Sequence, residues 1–135
     1  MKANELRIGN WFKGNWHWGD GKPREINAFD IKDLSDDPQD DFYQPIPLTE
    51  EWLLKFGFKP FNFSNKEKGF IIEHKDWSKS IYVRTFAEPN ITGFFTVFNR
   101  SECHWEEIQF IAKVTNVHQL QNLYFALTGE ELEMK

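Results

Sequence analysis

The clearest pattern of apolar and polar positions lies near the C-terminus. Apolar side chains recur there at helical spacing: Val117, Leu120, Leu123, Tyr124 and Leu127. Asn116 and Gln119 have the spacing of a capping box, with Asn in place of Ser or Thr, and Gly129 is placed to end the run. The pattern predicts an amphipathic helix that begins after Asn116. Residues 130–135 lack this signal and are predicted to be a frayed tail.

A shorter helix is predicted in the middle of the chain. An N-cap, an acidic first turn and a stop signal stand in the right order: Thr49, Glu50, Glu51 and Gly57. Leu48 and Leu53 have the spacing of a hydrophobic staple. The side chains expected to be buried are Trp52, Leu53 and Phe56.

Strand-like segments fill the region between the two helices. The candidate strands are 69–74, 80–86, 93–99 and 105–113, with turn signals at 76–78 and 88–90. Ile81 and Val83 alternate with other residues at a period of two, as expected for a strand with one buried face. These segments predict an antiparallel β-meander that the C-terminal helix closes.

The N-terminal part predicts a small β unit. Gly9 and Asn10 mark a turn that enters a strand, and a second strand is expected at 24–31, where Ile26, Ala28, Phe29 and Ile31 could face a core. An opening of this kind also occurs in small SH3-like barrels. Residues 30–41 hold six Asp against one Lys. Their spacing does not fit an EF-hand, so a solvated acidic loop is expected, with a weak cation site as the alternative.

Grouped strands and single helices predict an α+β fold. A chain of 135 residues is expected to form one domain. Its sub-parts would be a β unit with an acidic loop at 1–44, a helix, meander and C-terminal helix at 45–129, and a tail at 130–135.

Composition narrows the classes of protein. Aromatic residues make up 17% of the chain, and the mean hydropathy is −0.62, which predicts an aromatic core under a polar surface. The net charge of −5 disfavours non-specific nucleic-acid binding, which depends on Lys and Arg. No apolar run approaches the ~20 residues that span a bilayer, and no secretory signal is visible. We therefore expect a cytoplasmic protein without membrane contact.

The reactive side chains do not form a known local motif. The four histidines, His17, His74, His104 and His118, lack metal-binding spacings, and Cys103 is the sole cysteine. Neighbours on a strand point to opposite faces, so Cys103 and His104 could not form a nucleophile–base pair there. No catalytic residue, metal ligand or cofactor is predicted. The polar face of the last helix, which includes His118, Gln121 and Asn122, is expected to be a docking surface or simply solvated.

The strongest binding candidate is the Gly-rich loop that contains Trp16, His17 and Trp18, followed by Lys22 and Arg24. Aromatic and basic side chains together can stack on bases or ligands, or contact a protein. The simpler interpretation is that the Trp side chains fold back onto the core or a neighbouring loop. Trp77 leaves the same choice open.

Three stretches together carry a resemblance: residues 2–10, 45–53 and, most specifically, 117–129. They resemble a family of small uncharacterised proteins of Bacteroidetes-type bacteria and of their phages and mobile elements. The resemblance covers both ends and the central helix. It implies a cytoplasmic accessory protein of a prophage or mobile element, and it carries over no functional residues.

Three hypotheses follow for function. The first is a non-enzymatic protein-interaction module that binds an unknown protein or a second copy of itself, because aromatic residues are enriched in interfaces. The second is a nucleic-acid-binding module that uses the loop of Trp16 and Trp18. The third, with the least support, is a small enzyme whose site is assembled from residues distant in the sequence.

Overall fold

The structure, a computed structural model, describes residues 1–15, 21–64, 67–72, 80–85, 95–100 and 108–135. Within these residues the protein is α+β, with two antiparallel sheets. The strands are β1 Trp11–Gly14, β2 Pro23–Glu25, β3 Tyr43–Gln44, β4 Lys59–Ser64, β5 Glu67–Ile72, β6 Ser80–Thr85, β7 Phe95–Arg100 and β8 Ile108–Val114. The helices are α1 Ala28–Asp36, α2 Glu50–Lys55 and α3 Val117–Thr128, and a short 3-10 helix spans Ala3–Glu5. No helix in the described part of the chain has the length and apolar character to span a membrane.

The N-terminal sheet has the strand order β2-β1-β3, and both pairs are antiparallel. Its buried side chains form a cluster that we call the N-terminal core: Leu6, Phe12, Ile26, Leu34 and Tyr43. The hydroxyl of Tyr43 donates a hydrogen bond to Asp30 Oδ1 at 3.2 Å. Burial, reinforced by the negative charge of Asp30, raises the pKa of Tyr43. This bond ties α1 to the edge strand β3.

The predicted strand at 24–31 is wrong beyond Glu25, and the predicted acidic loop is wrong over its first half. Helix α1 occupies Ala28–Asp36 instead. Asn27 and Asp30 form a capping box, in which the Asp30 amide donates to Asn27 Oδ1 at 3.0 Å and the Asn27 amide donates to Asp30 Oδ2 at 2.9 Å. The helix exposes Ala28 and Phe29, which a strand was expected to turn inward. A three-stranded sheet with a helix thus differs from the SH3-like interpretation.

The second sheet is a five-stranded antiparallel meander in the order β4-β5-β6-β7-β8. Four of its strands confirm the predicted segments, with boundaries shifted by a few residues. The first strand, β4, was not predicted. Pro60 lies within it, and proline disfavours most strand positions. Proline is tolerated in a strand at a sheet edge, and β4 is an edge strand. The two predicted turns at 76–78 and 88–90 lie outside the described residues.

The larger cluster, which we call the C-terminal core, lies between this sheet and helices α2 and α3. It holds fourteen of the described residues: Ile46, Leu48, Trp52, Leu53, Phe56, Phe58, Phe70, Ile81, Val83, Val114, Val117, Leu120, Tyr124 and Leu132. The chain before α2 is fixed against the start of α3, since the Leu48 amide donates to Thr115 O and the Val117 amide donates to Ile46 O, both at 2.9 Å.

The end signals of both predicted helices are confirmed. The Trp52 amide donates to Thr49 Oγ1 at 3.4 Å, which caps α2. Asn116 and Gln119 form the capping box of α3, and Gly129 ends this helix at a φ of 74°. Glycine adopts this left-handed conformation without strain, which explains why α3 ends at Gly129 as predicted.

The prediction of a frayed C-terminal tail is wrong. Leu132 is only 4% exposed and belongs to the C-terminal core. The Lys135 amide donates to the Lys55 carbonyl at 2.8 Å. Gly57 lies against the side chain of Lys135. A Cβ at position 57 would lie 2.7 Å from Lys135 Cγ, which is too close for a side chain there. The tail is therefore anchored at two points along its length.

Candidate functional site

The binding residues predicted from sequence are only partly placed by the structure. Trp16, His17 and Trp18 lie outside the described residues, as do Trp77, His74, Cys103 and His104. Lys22 is exposed just before β2, and Arg24 is exposed within it. The loop site therefore stays a prediction.

Strand β1 connects the two cores through neighbouring side chains. Phe12 belongs to the N-terminal core, and its ring centroid lies 5.1 Å from that of Tyr43. Trp11 packs against the C-terminal core, 5.7 Å from Trp52 between ring centroids. Successive side chains of a strand point to opposite faces, so one short strand forms a wall of both clusters.

Polar side chains fill the contact between β1 and α3. Gln121, 2% exposed, accepts a hydrogen bond from the Trp11 amide at 2.9 Å and donates one to Gly9 O at 3.0 Å. Asn122 accepts from Asn10 Nδ2 at 3.0 Å and donates to Glu5 O at 2.7 Å. We call Asn10, Gln121 and Asn122 the amide seam.

The polar face of α3 was expected to be either a docking surface or simply solvated, and the amide seam shows that part of it is neither. Gln121 and His118 are buried against the protein's own N-terminal segment, so this part of the face is neither solvated nor free for docking. Carboxamides suit this role because each offers both a donor and an acceptor to backbone groups that would otherwise be buried without partners.

Arg7 draws the C-terminal tail toward the N-terminal segment. Its guanidinium pairs with the Glu131 carboxylate and lies 3.6 Å from the centroid of the Phe125 ring. A cation over an aromatic face adds to the attraction of the ion pair. Residues from the two ends of the chain therefore meet beside β1.

This meeting of the two ends forms a groove of about 410 Å³. We call it the acidic groove, and it is lined by Ile8, Gly9, Trp11, Glu25, Gln121, Glu131, Leu132, Glu133 and Met134. Ile8 is 64% exposed and Met134 is 41% exposed, whereas Trp11 is half-buried. The volume falls within the ~300–1,000 Å³ range of ligand sites. No local motif in the sequence could have revealed it, because its residues come from positions 8–25 and 121–134.

The charge of the acidic groove is one-sided. Three carboxylates, those of Glu25, Glu131 and Glu133, stand among apolar side chains. Arg7 pairs with Glu131. Within the described part of the chain, neither Glu25 nor Glu133 has an ion-pair partner. The groove therefore combines an apolar surface with uncompensated negative charge.

A second cleft, of about 490 Å³, lies on the other side of the amide seam. We call it the histidine cleft, and its lining is Glu5, Lys113, Val114, His118, Gln119, Asn122 and Leu123. His118 is 3% exposed, and its Nδ1 has no hydrogen-bond partner among the described residues. Burial lowers the pKa of His118, the Glu5 carboxylate opposes this shift, and the N-terminal amino group adds to it.

The described residues that line the histidine cleft show no paired acid and base. General acid–base and nucleophilic sites need side chains within hydrogen-bonding reach of one another. Among the residues that the structure describes, no hydrogen bond joins His118 to a carboxylate or a nucleophile, and no three His, Cys, Asp or Glu side chains are grouped so as to hold a metal ion.

Comparison of the chain with protein-family models, with curated proteins and with solved structures gave no match.

Proposed function

We propose that this protein is a non-enzymatic protein-interaction module that holds its partner in the acidic groove. The observation that carries this proposal is the gathering of the exposed Ile8 and Met134 beside the half-buried Trp11 in one groove. Single exposed apolar side chains are ordinary, whereas clustered ones mark contact surfaces. Trp and Met are also enriched in protein interfaces. The resemblance to proteins of phages and mobile elements supports a role as a cytoplasmic accessory protein.

The experiment places a photoreactive amino acid at position 8 or position 134 in cells that naturally make the protein. The matched control is position 29, because Phe29 is also apolar and exposed but lies on α1, outside the groove lining. We expect discrete cross-linked products from positions 8 and 134 and none of these from position 29. An Ile8→Asp substitution should remove the product formed from position 134.

Two results would overturn the proposal. One is the absence of any cross-linked protein from both groove positions in a protein that is folded by circular dichroism. The other is the same set of products from position 29, which would show that contact does not depend on the groove.

Nucleic-acid binding remains the second candidate, supported by the exposure of Lys22 just before β2 and of Arg24 within it. The carboxylates of Glu25, Glu131 and Glu133 would repel a phosphate backbone that approached the acidic groove. A gel-shift titration with single-stranded DNA and RNA tests this candidate. A salt-dependent shift that Trp16→Ala removes would support it, and no shift at low salt would end it.

A further inference from the structure

We infer that the occupant of the acidic groove is an extended segment of a partner protein in which an apolar side chain stands between Lys or Arg residues. This inference rests on the proposed function and names the chemistry of the partner that the same groove selects.

The carboxylates of the acidic groove flank its apolar surface. Glu25 pairs directly with Trp11 across the β1–β2 ladder, so the two side chains lie next to each other on one face of the sheet. Glu133 precedes Met134 on the opposite wall, which the C-terminal tail forms. A ligand in the groove would therefore meet a carboxylate on each side of an apolar centre.

Among the described residues, no basic side chain forms an ion pair with the carboxylate of Glu25 or Glu133. Arg7 pairs with Glu131 and stacks on Phe125, which leaves the groove two carboxylates in excess. Lys and Arg residues of a partner would supply the missing charge, and their long apolar stems suit the surface around Ile8 and Met134. The ring of Trp11 adds attraction for a cation.

A second copy of the chain does not suit the charge of the acidic groove. In a two-fold symmetric contact the same patch meets itself, so the carboxylates of one acidic groove would face those of the other. The whole chain also carries a net charge of −5, which opposes self-association. A positively charged partner has neither disadvantage.

Both walls of the acidic groove are held in place by contacts within the protein. The Trp11 amide is held by Gln121, and the tail is held by the burial of Leu132 and by the bond from Lys135 to Lys55. A preformed groove loses little conformational entropy on binding. Its 410 Å³ volume suits a few side chains of an extended segment rather than a folded surface.

The experiment uses fluorescence anisotropy with three pools of labelled heptapeptides. The first pool has Leu or Met at the centre, flanked by Lys or Arg. The second keeps the centre but is flanked by Glu, and the third keeps the basic flanks but has Ser at the centre. We expect the first pool to bind about tenfold more tightly than either of the others, and its affinity to fall as salt rises.

Charge reversal tests whether the groove itself sets this preference. The Glu25→Lys/Glu133→Lys double variant should lose the first pool and gain affinity for the second. The matched control is Asp33→Lys/Glu50→Lys, which changes the net charge equally at exposed positions outside the groove lining and should keep the wild-type order. If the first double variant does not fold, Glu133→Lys alone, in the exposed tail, should show half of the reversal.

Three results would overturn the inference. They are equal binding of all three pools, reversal by the control variant, and a concentration-dependent dimer that Glu25→Lys/Glu133→Lys abolishes. If cross-links from positions 8 and 134 persist while the pools bind alike, the proposed function stands and only the partner chemistry fails. If those cross-links are also absent, both fail.

Discussion

The two buried clusters of this protein are closed by different kinds of contact. The described side chains of the C-terminal core are apolar and come from one sheet, from helices α2 and α3 and from the segments beside them. Among the described residues the N-terminal core has five that are buried, and its strand β1 is joined to α3 by the hydrogen bonds of the amide seam. A small cluster buries too little apolar surface to hold its segment alone, so it depends on hydrogen bonds to a larger neighbour.

Paired truncations should show the largest difference between the two cores. Phe56 is fully buried at the C-cap of α2, and Phe56→Ala should lower the global free energy of unfolding by about 3–5 kcal/mol. Phe12→Ala should instead open the N-terminal core locally, which speeds hydrogen exchange of the Ile26 amide more than that of Val117. Urea unfolding and native-state hydrogen exchange provide the two measurements.

The matched control for Phe56→Ala is Leu54→Ala, since Leu54 lies close to Phe56, within α2, and is exposed. It should change the unfolding free energy by less than about 1 kcal/mol. Equal acceleration of both amides by Phe12→Ala would contradict the distinction between the two cores.

The C-terminal tail should behave as part of the larger core. Leu132→Ala removes a buried side chain and should lower the free energy of unfolding by about 2–4 kcal/mol. Glu133→Ala, one residue further along and exposed, should have little effect. Thermal and urea unfolding of the three proteins measure this. A tail that contributes nothing would give the same stability in all of them.

Removing the hydrogen bonds of the amide seam should lower the free energy of unfolding by less than Leu132→Ala does. The effect should be confined to the β1 side of the contact. Gln121→Leu nearly preserves the side-chain volume but removes the hydrogen-bond partner of the Trp11 amide and of the Gly9 carbonyl. We expect a loss of roughly 1–3 kcal/mol, together with faster exchange of the Trp11 amide. The Val117 amide, which donates to Ile46 O, should keep its protection. Unchanged exchange at Trp11 would show that the seam does not fasten β1.

The smallest effect is expected from pH, through His118. Burial lowers the pKa of His118 in the folded protein below the ordinary value of about 6.5, so at mildly acidic pH the unfolded chain binds the proton first. The stability that this neutral imidazole contributes is therefore present above about pH 6.5 and is lost as the pH falls from there toward the lower folded pKa.

Urea unfolding from pH 8 to pH 5 measures this, with His118→Leu as the comparison. The groups that face His118 are the Glu5 carboxylate, the N-terminal amino group and, across the cleft, Lys113. The wild-type protein should lose more stability with acid than the variant does. Identical pH profiles would show that another group controls the acid sensitivity.

Local signals predicted the helix ends well and the N-terminal unit poorly. Thr49, Asn116 and Gly129 act on backbone groups within a few residues, so their effect is visible in the sequence. Helix α1 was missed although Asn27 and Asp30 have capping-box spacing, because Ile26, Phe29 and Ile31 also suit a strand. The local sequence suits both a strand and a helix here, and the helix is the structure that packs against β1 and β3.

The acidic groove was beyond prediction for a different reason. Ile8, Trp11 and Met134 carry no motif, and each is unremarkable in its own segment. Their chemistry depends on distances between the two ends of the chain, which no spacing along the sequence encodes. The predicted site at Trp16, His17, Trp18, Lys22 and Arg24 drew on a Gly-rich segment where aromatic and basic residues are close in sequence.

The sequence by itself determined the α+β class, the two capped helices and the meander, since these follow from periodicity and from capping groups that act over a few residues. Only the tertiary structure decided that Gln121 and Asn122 face inward, that Leu132 anchors the tail, and that three glutamates surround Ile8 and Met134. Polar side chains on a helix are expected to face solvent when only the helix is considered. In this protein a segment from the other end of the chain provides their hydrogen-bond partners.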